Sequence, residues 1–301
     1  MISIIVCSRL RFLFEQVSRN IRESCGVDFE ILEVNNAIYK WPLTKAYNYG
    51  GLKANNDILV FVHEDVIFHT KDWGKILLNY FETLANPGLL GVAGSSYLPI
   101  SPTDWWISNQ RYIHTNFLSN SKNGVPGLGV LNSMGKQFPQ NVFALDGMFL
   151  AMRRSVFLEF PFDESMPGFH GYDTDLSYQV SQSYQNYFIP GILIEHFSKG
   201  YPDGVWLHNT ISANKKILPF ILELKSKVGF DANMERKSFH LFLGQLRKFG
   251  SSRFENIRLA IFYFNQLRAF NLHWKLIPLL LKYLLSFGFT FKSQNSTIQE
   301  R

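Results

Sequence analysis

The run Ile58–Val62 is apolar without a break and passes directly into His63-Glu64-Asp65. A strand with no polar side chain cannot turn one face to water, so it belongs inside a sheet covered on both sides. Ile2–Cys7 is of the same kind apart from Ser3, and Phe29–Val34, which carries Glu30 and Glu33, reads as the next strand. Helical stretches from about Arg11 to Ser24, at Leu43–Ala54 and at Trp73–Leu84 alternate with them. This alternation is the pattern of βαβ units and predicts an α/β fold with a mostly parallel central sheet flanked by helices. Further strands are expected at Leu90–Ala93, Ala144–Arg153 and Tyr187–Ile194, and helices at Asp173–Tyr184 and Leu207–Lys227. Residues 95–141 are irregular and rich in Ser, Asn, Gly, Pro and aromatic side chains, and a loop of that length inside a domain usually serves function.

With 301 residues, 46% of them hydrophobic, the chain can build one large domain and an appendage. Charge marks where the appendage begins. Residues 1–214 hold 15 Lys/Arg against 19 Asp/Glu, a balance of −4, whereas residues 215–301 hold 15 against 5, a balance of +10. We expect a main domain over 1–230 and a basic, amphipathic helical extension over 231–301. Phe239, Phe242, Leu243 and Leu246 share one helical face, with Arg247 and Lys248 off it. The apolar run Leu276–Phe291 is too short for a spanning helix and is interrupted by Pro278 and Lys282. Such a tail either packs on protein or lies in a membrane interface. A neutral-to-acidic body with a basic, apolar tail fits an anionic membrane surface better than nucleic acid, for which no recognised module is present, so we expect no nucleic-acid partner. Cys7 and Cys25 lack metal-ligand spacing, and no secretory leader precedes them, so we expect free thiols and a cytoplasmic protein, peripheral on the inner face of the cell membrane.

Three groups of polar residues fall at the ends of these elements. His63-Glu64-Asp65 closes a buried strand, and carboxylates there can bridge a hard divalent cation to a phosphate or remain solvated loop charges. Asp173 and Asp175, in Gly171-Tyr172-Asp173-Thr174-Asp175-Leu176, open a helix, where an acid can be a cap, a partner of the dipole or a reacting group. His196 follows a third strand and is either a metal ligand or a hydrogen-bonded surface imidazole. In open α/β sheets ligands collect at the carboxyl ends of strands, so all three groups can converge on one site. Trp105 and Trp106 in the long loop, with Tyr112, Phe117 and Trp206, can stack on a ligand's apolar faces or simply pack.

The order of motifs resembles a family 2 glycosyltransferase over roughly residues 1–200. The resemblance rests on Ile2–Ser8, Asn35-Asn36, Lys45 to Asn48, Ile58–Asp65, Ala144-Leu145-Asp146-Gly147, Phe162-Asp163-Glu164 and the Gly171–Leu176 helix start. It implies a GT-A-like fold with a C-terminal helical extension, of the bacterial surface-polysaccharide type. The activity so implied is transfer of a sugar, with inversion, from a nucleotide-sugar donor to a saccharide or lipid-linked saccharide acceptor, with Mn²⁺ or Mg²⁺ as cofactor. In residue terms, Asp65 takes the place of the directly ligating acid, with His63 where a first Asp is usual and His196 as a further ligand. Asp173 takes the place of the catalytic base. Ser8, Arg9, Asn35, Lys45, Asn48, Glu64, Asp146, Gly147, Tyr172, Asp175, Trp105 and Trp106 fall in the donor and acceptor positions. The rival readings are a non-catalytic nucleotide-sugar-binding module and a nucleotidyltransferase. The latter usually carries a Gly-rich phosphate loop after the first strand, where this chain has Ser8-Arg9-Leu10-Arg11-Phe12.

Overall fold

The first third of the chain runs β1 (Ile2–Ser8), α1 (Arg11–Ser24), β2 (Phe29–Asn35), α2 (Asn36–Tyr39), α3 (Leu43–Lys53), β3 (Ile58–His63), β4 (Val66–Phe68) and α4 (Trp73–Thr83). There follow β5 (Pro87–Gly91), β6 (Ala93–Ser95), a 3-10 turn at Trp105–Ile107, β7 (Ile113–Thr115), β8 (Phe117–Ser119), β9 (Gln140–Val142), β10 (Ala144–Leu145), β11 (Phe149–Arg153) and α5 (Arg154–Glu159). The remainder is α6 (Tyr172–Val180), β12 (Gln185–Phe188), β13 (Ile194–His196), α7 (Gly204–Val228), α8 (Ala232–Phe249), α9 (Arg253–Arg268) and α10 (His273–Ser286). The computed structural model describes residues 1–107, 109–119, 138–197 and 202–286. The part of the long loop over 120–137 and the end of the apolar run beyond 286 lie outside the described residues.

The central sheet has the order β2-β1-β3-β11-β5-β12-β9. β1 pairs in parallel with β2 and β3, and β12 in parallel with β5, while β11 and β9 run against their neighbours. The α/β sheet expected from the sequence is therefore present, and it is mostly parallel. Every residue of β1 is buried, as is β3 up to His63. Each such Ile, Val, Leu or Phe contributes about 1.5–3 kcal/mol by leaving water, which is why the all-apolar runs define the centre of the sheet. Cys7 and Cys25 are buried free thiols.

Three of the expected strands prove to be broken in the middle. Leu90–Ala93 divides between β5 and β6, Ala144–Arg153 between β10 and β11, and Tyr187–Ile194 between β12 and β13. Asp146-Gly147 makes the second break: the Asp146 N–H goes to the Ala93 carbonyl at 2.9 Å and its carboxylate accepts from Met148 N at 3.0 Å. Pro190-Gly191 makes the third, since neither residue sustains a ladder. The freed halves form two small sheets, β10-β6-β7 and β4-β13-β8. Apolar runs predict strands well but do not show where a run changes sheets.

The described residues divide into two compact units. One comprises Met1–Leu98 with Asp104–Ile217, the other Pro99–Thr103 with Leu218 onward. In the second unit Phe239, Phe242, Leu243 and Leu246 of α8 are all buried, with the Phe242 ring edge-on to Tyr263 of α9 at 5.0 Å. The apolar face of α8 is thus consumed by neighbouring helices. Glu235 is wholly buried there and accepts from Lys225 at 3.3 Å and from Ile100 N at 3.0 Å. Among the described residues no helix is long and apolar enough to cross a membrane.

Candidate active site

β3 delivers His63 to the carboxyl edge of the sheet, and the reversal into β4 presents Asp65. β13 pairs antiparallel with β4, His196 opposite Val66, and the Phe197 N–H donates to the Asp65 carbonyl at 3.1 Å. The small sheet therefore brings a histidine 131 positions away in sequence onto the strand end. His63 Nδ1 lies 3.3 Å from His196 Nε2, Asp65 Oδ1 lies 3.4 Å from His196 Nε2 and 4.0 Å from His63 Nδ1. One ligand atom from each of the three residues falls within 4.8 Å of the others, among the described residues the one such group of His, Cys, Asp or Glu.

Three donors at these separations fit one face of a coordination sphere with bond lengths of about 2.0–2.2 Å. Two imidazoles and one carboxylate suit a transition ion such as Mn²⁺ better than Mg²⁺, which prefers an all-oxygen set. His63 Nε2 is 2.7 Å from the Tyr172 hydroxyl, which leaves Nδ1 directed at Asp65 and His196. Burial, followed by the neighbouring His196, pushes the His63 imidazole down to about 4, so it is neutral and able to ligate at neutral pH. Burial also works against the His196 cation, but the Asp65 hydrogen bond and charge outweigh it and hold that imidazole above its ordinary value.

Asp173 sits one residue inside α6, whose start is set by Gly171 at φ 78°, a left-handed conformation that side chains rarely accept. Its two oxygens are held by backbone donors, Oδ1 by Thr174 N at 2.8 Å and Oδ2 by Gly147 N at 3.0 Å. Burial, then the nearby Asp146, pushes its carboxyl up to about 7. Asp146 is raised as well, first by burial, with Trp105 and the Met148 N–H acting in the opposite sense. The two carboxyls titrate as a pair. Gly147 has no room for a side chain, since a Cβ there would collide with the Tyr172 hydroxyl.

A cleft of about 790 Å³ opens over these groups. Of the residues singled out in the sequence, Arg9, His63, Glu64, Asp65, Trp105, Trp106, Phe117, Asp146, Gly147, Tyr172, Asp173, His196 and Trp206 line it. Trp105 and Trp106 stack on each other with centroids 5.2 Å apart, the first buried and the second 47% exposed. Glu64 accepts from Arg9 N at 2.9 Å and Leu10 N at 3.1 Å, so the N–H groups at the start of α1 already hold a carboxylate where a phosphate loop would hold its anion.

Five expected residues lie elsewhere. The Ser8 hydroxyl donates to Glu33 at 2.7 Å, and Asn35, opposite Ser8 across the strands, ends β2 outside the cleft. Lys45 lies over the Trp41 ring at 4.9 Å. Asn48 spends its amide on Phe162 N and O and on Glu164, and so fixes the 162–164 loop. Asp175 faces Lys216, 2.7 Å away, which also pairs with Asp163 at 2.5 Å. Conversely, Asp104, Phe169 and His170 line the cleft without having been singled out. Burial pushes the Asp104 carboxyl up to about 6. Asp104, directly before Trp105-Trp106, and His170, directly before Gly171-Tyr172, each adjoin residues already marked, whereas Phe169 carried no such signal.

A strand-end cluster of imidazoles and carboxylates, set in a cleft at the carboxyl edge of a mostly parallel sheet, is the framework of a ligand-transforming α/β enzyme. The chain belongs to the Glycosyltransferase like family, whose sequence signature matches residues 3–214. No curated protein sequence matches it. Among solved structures it is similar to GalNAc-T7 with UDP, GalNAc and Mn²⁺, at 12% identity and TM-score 0.49, covering 83% of this chain and 55% of that one. It is also similar to S. aureus TarS 1–349 in complex with UDP-GlcNAc, at 10% identity and TM-score 0.44, covering 95% of this chain and 80% of that one. A197 from STIV follows at 15% identity and TM-score 0.35, covering 66% and 86%. All three scores lie below 0.5, and the family assignment rests on the sequence match.

Proposed function

We propose that the chain transfers a sugar from a nucleoside-diphosphate-sugar donor to a saccharide or lipid-linked saccharide hydroxyl, with inversion and with dependence on a divalent ion. The observation that carries this reading is the convergence of two features on one cleft: the His63-Asp65-His196 set and the buried carboxyl of Asp173. His63, Asp65 and His196 would hold the ion, and their two imidazoles favour a transition ion over Mg²⁺. A divalent ion bound there supplies positive charge that stabilises a departing diphosphate.

The remaining chemistry belongs to the chain itself. Asp173 takes the proton of the acceptor hydroxyl as it attacks, a contribution of about 10²–10⁴ in rate. Its carboxylate is held by the Gly147 and Thr174 N–H groups, so it need not reorganise at the moment of transfer. A single base acting on a directly displacing hydroxyl gives inversion. Tyr172 keeps His63 Nε2 engaged and so fixes the ring against Asp65. Trp105 and Trp106 offer ring faces to a sugar. The N–H groups at the start of α1 are occupied by Glu64, which disfavours a nucleotidyltransferase and leaves diphosphate charge to be met by the ion and by Arg9. Within this reading residues 1–230 form the catalytic domain and 231–301 an extension. Asp65→Ala tests the clamp: it should lower donor affinity and metal response together, and unchanged metal dependence would remove Asp65 from it.

A further inference from the structure

The buried face of α8 accounts for one apolar surface of the helical unit, but α10 carries another that faces solvent. Trp274, Pro278, Leu281 and Leu285 are exposed, with Trp274 at 77%, Leu281 at 53% and Leu285 at 63%. Their spacing of i, i+4, i+7 and i+11 places them in one stripe along the helix. The opposite side is the packed one, where Leu276 and Tyr283 are buried. Lys275 and Lys282 are also exposed, each one position after a member of the stripe, and α10 contains no acidic residue. Over its 14 described residues the helix is too short to span a bilayer, and it lies in the segment of the sequence whose balance is +10.

We propose that α10 docks on an anionic lipid surface, with the Trp274-Leu281-Leu285 stripe in the headgroup boundary and Lys275 and Lys282 on lipid phosphates. The charge decides the occupant. A protein partner would be served by an apolar stripe alone, whereas a stripe edged by lysines, free of acids and headed by an indole has the composition of an interfacial helix. The orientation follows from the same residues, since the stems of the lysines lie along the apolar surface while their ammonium groups reach outward.

The test is cosedimentation of the full chain with sucrose-loaded vesicles, either phosphatidylcholine alone or phosphatidylcholine with phosphatidylglycerol, at low and physiological salt. The expected result is binding to the anionic vesicles, weakened by salt and accompanied by a blue shift of tryptophan emission. Leu281→Ser with Leu285→Ser should lower partitioning at least tenfold, and Lys275→Gln with Lys282→Gln by about 25-fold on anionic vesicles, from about fivefold per lysine. Circular dichroism and melting of each variant confirm that it is folded. Equal binding to both vesicle types, no binding to either, or wild-type-like binding by the folded Leu281→Ser/Leu285→Ser variant would overturn the proposal. So would a wild-type dimer that this variant dissolves, because the stripe would then be covered by a second copy of the chain.

Discussion

Replacing Asp173 with Asn should abolish transfer and at the same time stabilise the protein at alkaline pH. The carboxyl sits at about 7 in the folded chain against an ordinary value of 3.8, raised first by burial and then by Asp146. A raised carboxyl favours the folded state fully below 3.8 and loses that contribution as pH rises through about 7. The loss amounts to on the order of 4 kcal/mol across that window, an upper figure because Asp146 shares the titration. Asparagine does not titrate, so the variant escapes the pH-dependent loss; its amide nitrogen cannot accept from one of the two N–H groups that hold the carboxyl, a cost that is the same at every pH. Melting curves in chelator at about pH 5 and about pH 8 should show the variant's advantage growing by roughly two-thirds of that figure, or several degrees. Transfer by the variant should fall by about 10²–10⁴ while wild-type kcat/KM rises with pH through about 7. A variant with normal turnover, or one whose relative stability is flat in pH, would refute the placement of a strained base at this position.

Mn²⁺ should raise the melting temperature of the wild type more than Mg²⁺ at equal concentration, and His196→Ala should erase the difference; an intact Mn²⁺ response in that variant would exclude the imidazole as a ligand. Gly147→Ala should push the Tyr172 hydroxyl off His63 and weaken Mn²⁺ binding about tenfold or more, read by calorimetry, with unchanged binding arguing against the contact. Lys216→Met strands the Asp175 carboxylate, which is only 4% exposed, and should cost about 2 kcal/mol in urea unfolding, less than for a fully buried pair because Lys216 is 34% exposed. Nucleotide binding should survive that change, since neither residue lines the large cleft.

The strands of the sheet centre were legible because each is a local run of apolar residues. Ile58–Val62 can be nothing but a buried strand, and whatever follows it must lie at the sheet edge. The position of Asp173 at the start of α6 is likewise written in Gly171 and in the helical pattern beyond it. What depends on pairing between distant segments was not legible. The Asp146-Gly147 break shows only when β10 and β11 find different partners. Asp175 and Asn48 carry the right residue types for a site, yet their directions are set by Lys216 of α7 and by the 162–164 loop. Tyr172 acquires its meaning from a 2.7 Å contact with His63, a residue 109 positions away.

The central claim is tested most directly by calorimetric titration of the wild-type chain and Asp65→Ala with UDP-, GDP-, dTDP- and CMP-linked ligands, each with and without Mn²⁺. The account predicts that at least one nucleoside diphosphate binds the wild type strongly only when Mn²⁺ is present, and that Asp65→Ala removes this dependence. No binding of any nucleotide, or equal binding by the two proteins in the presence of Mn²⁺, would contradict it.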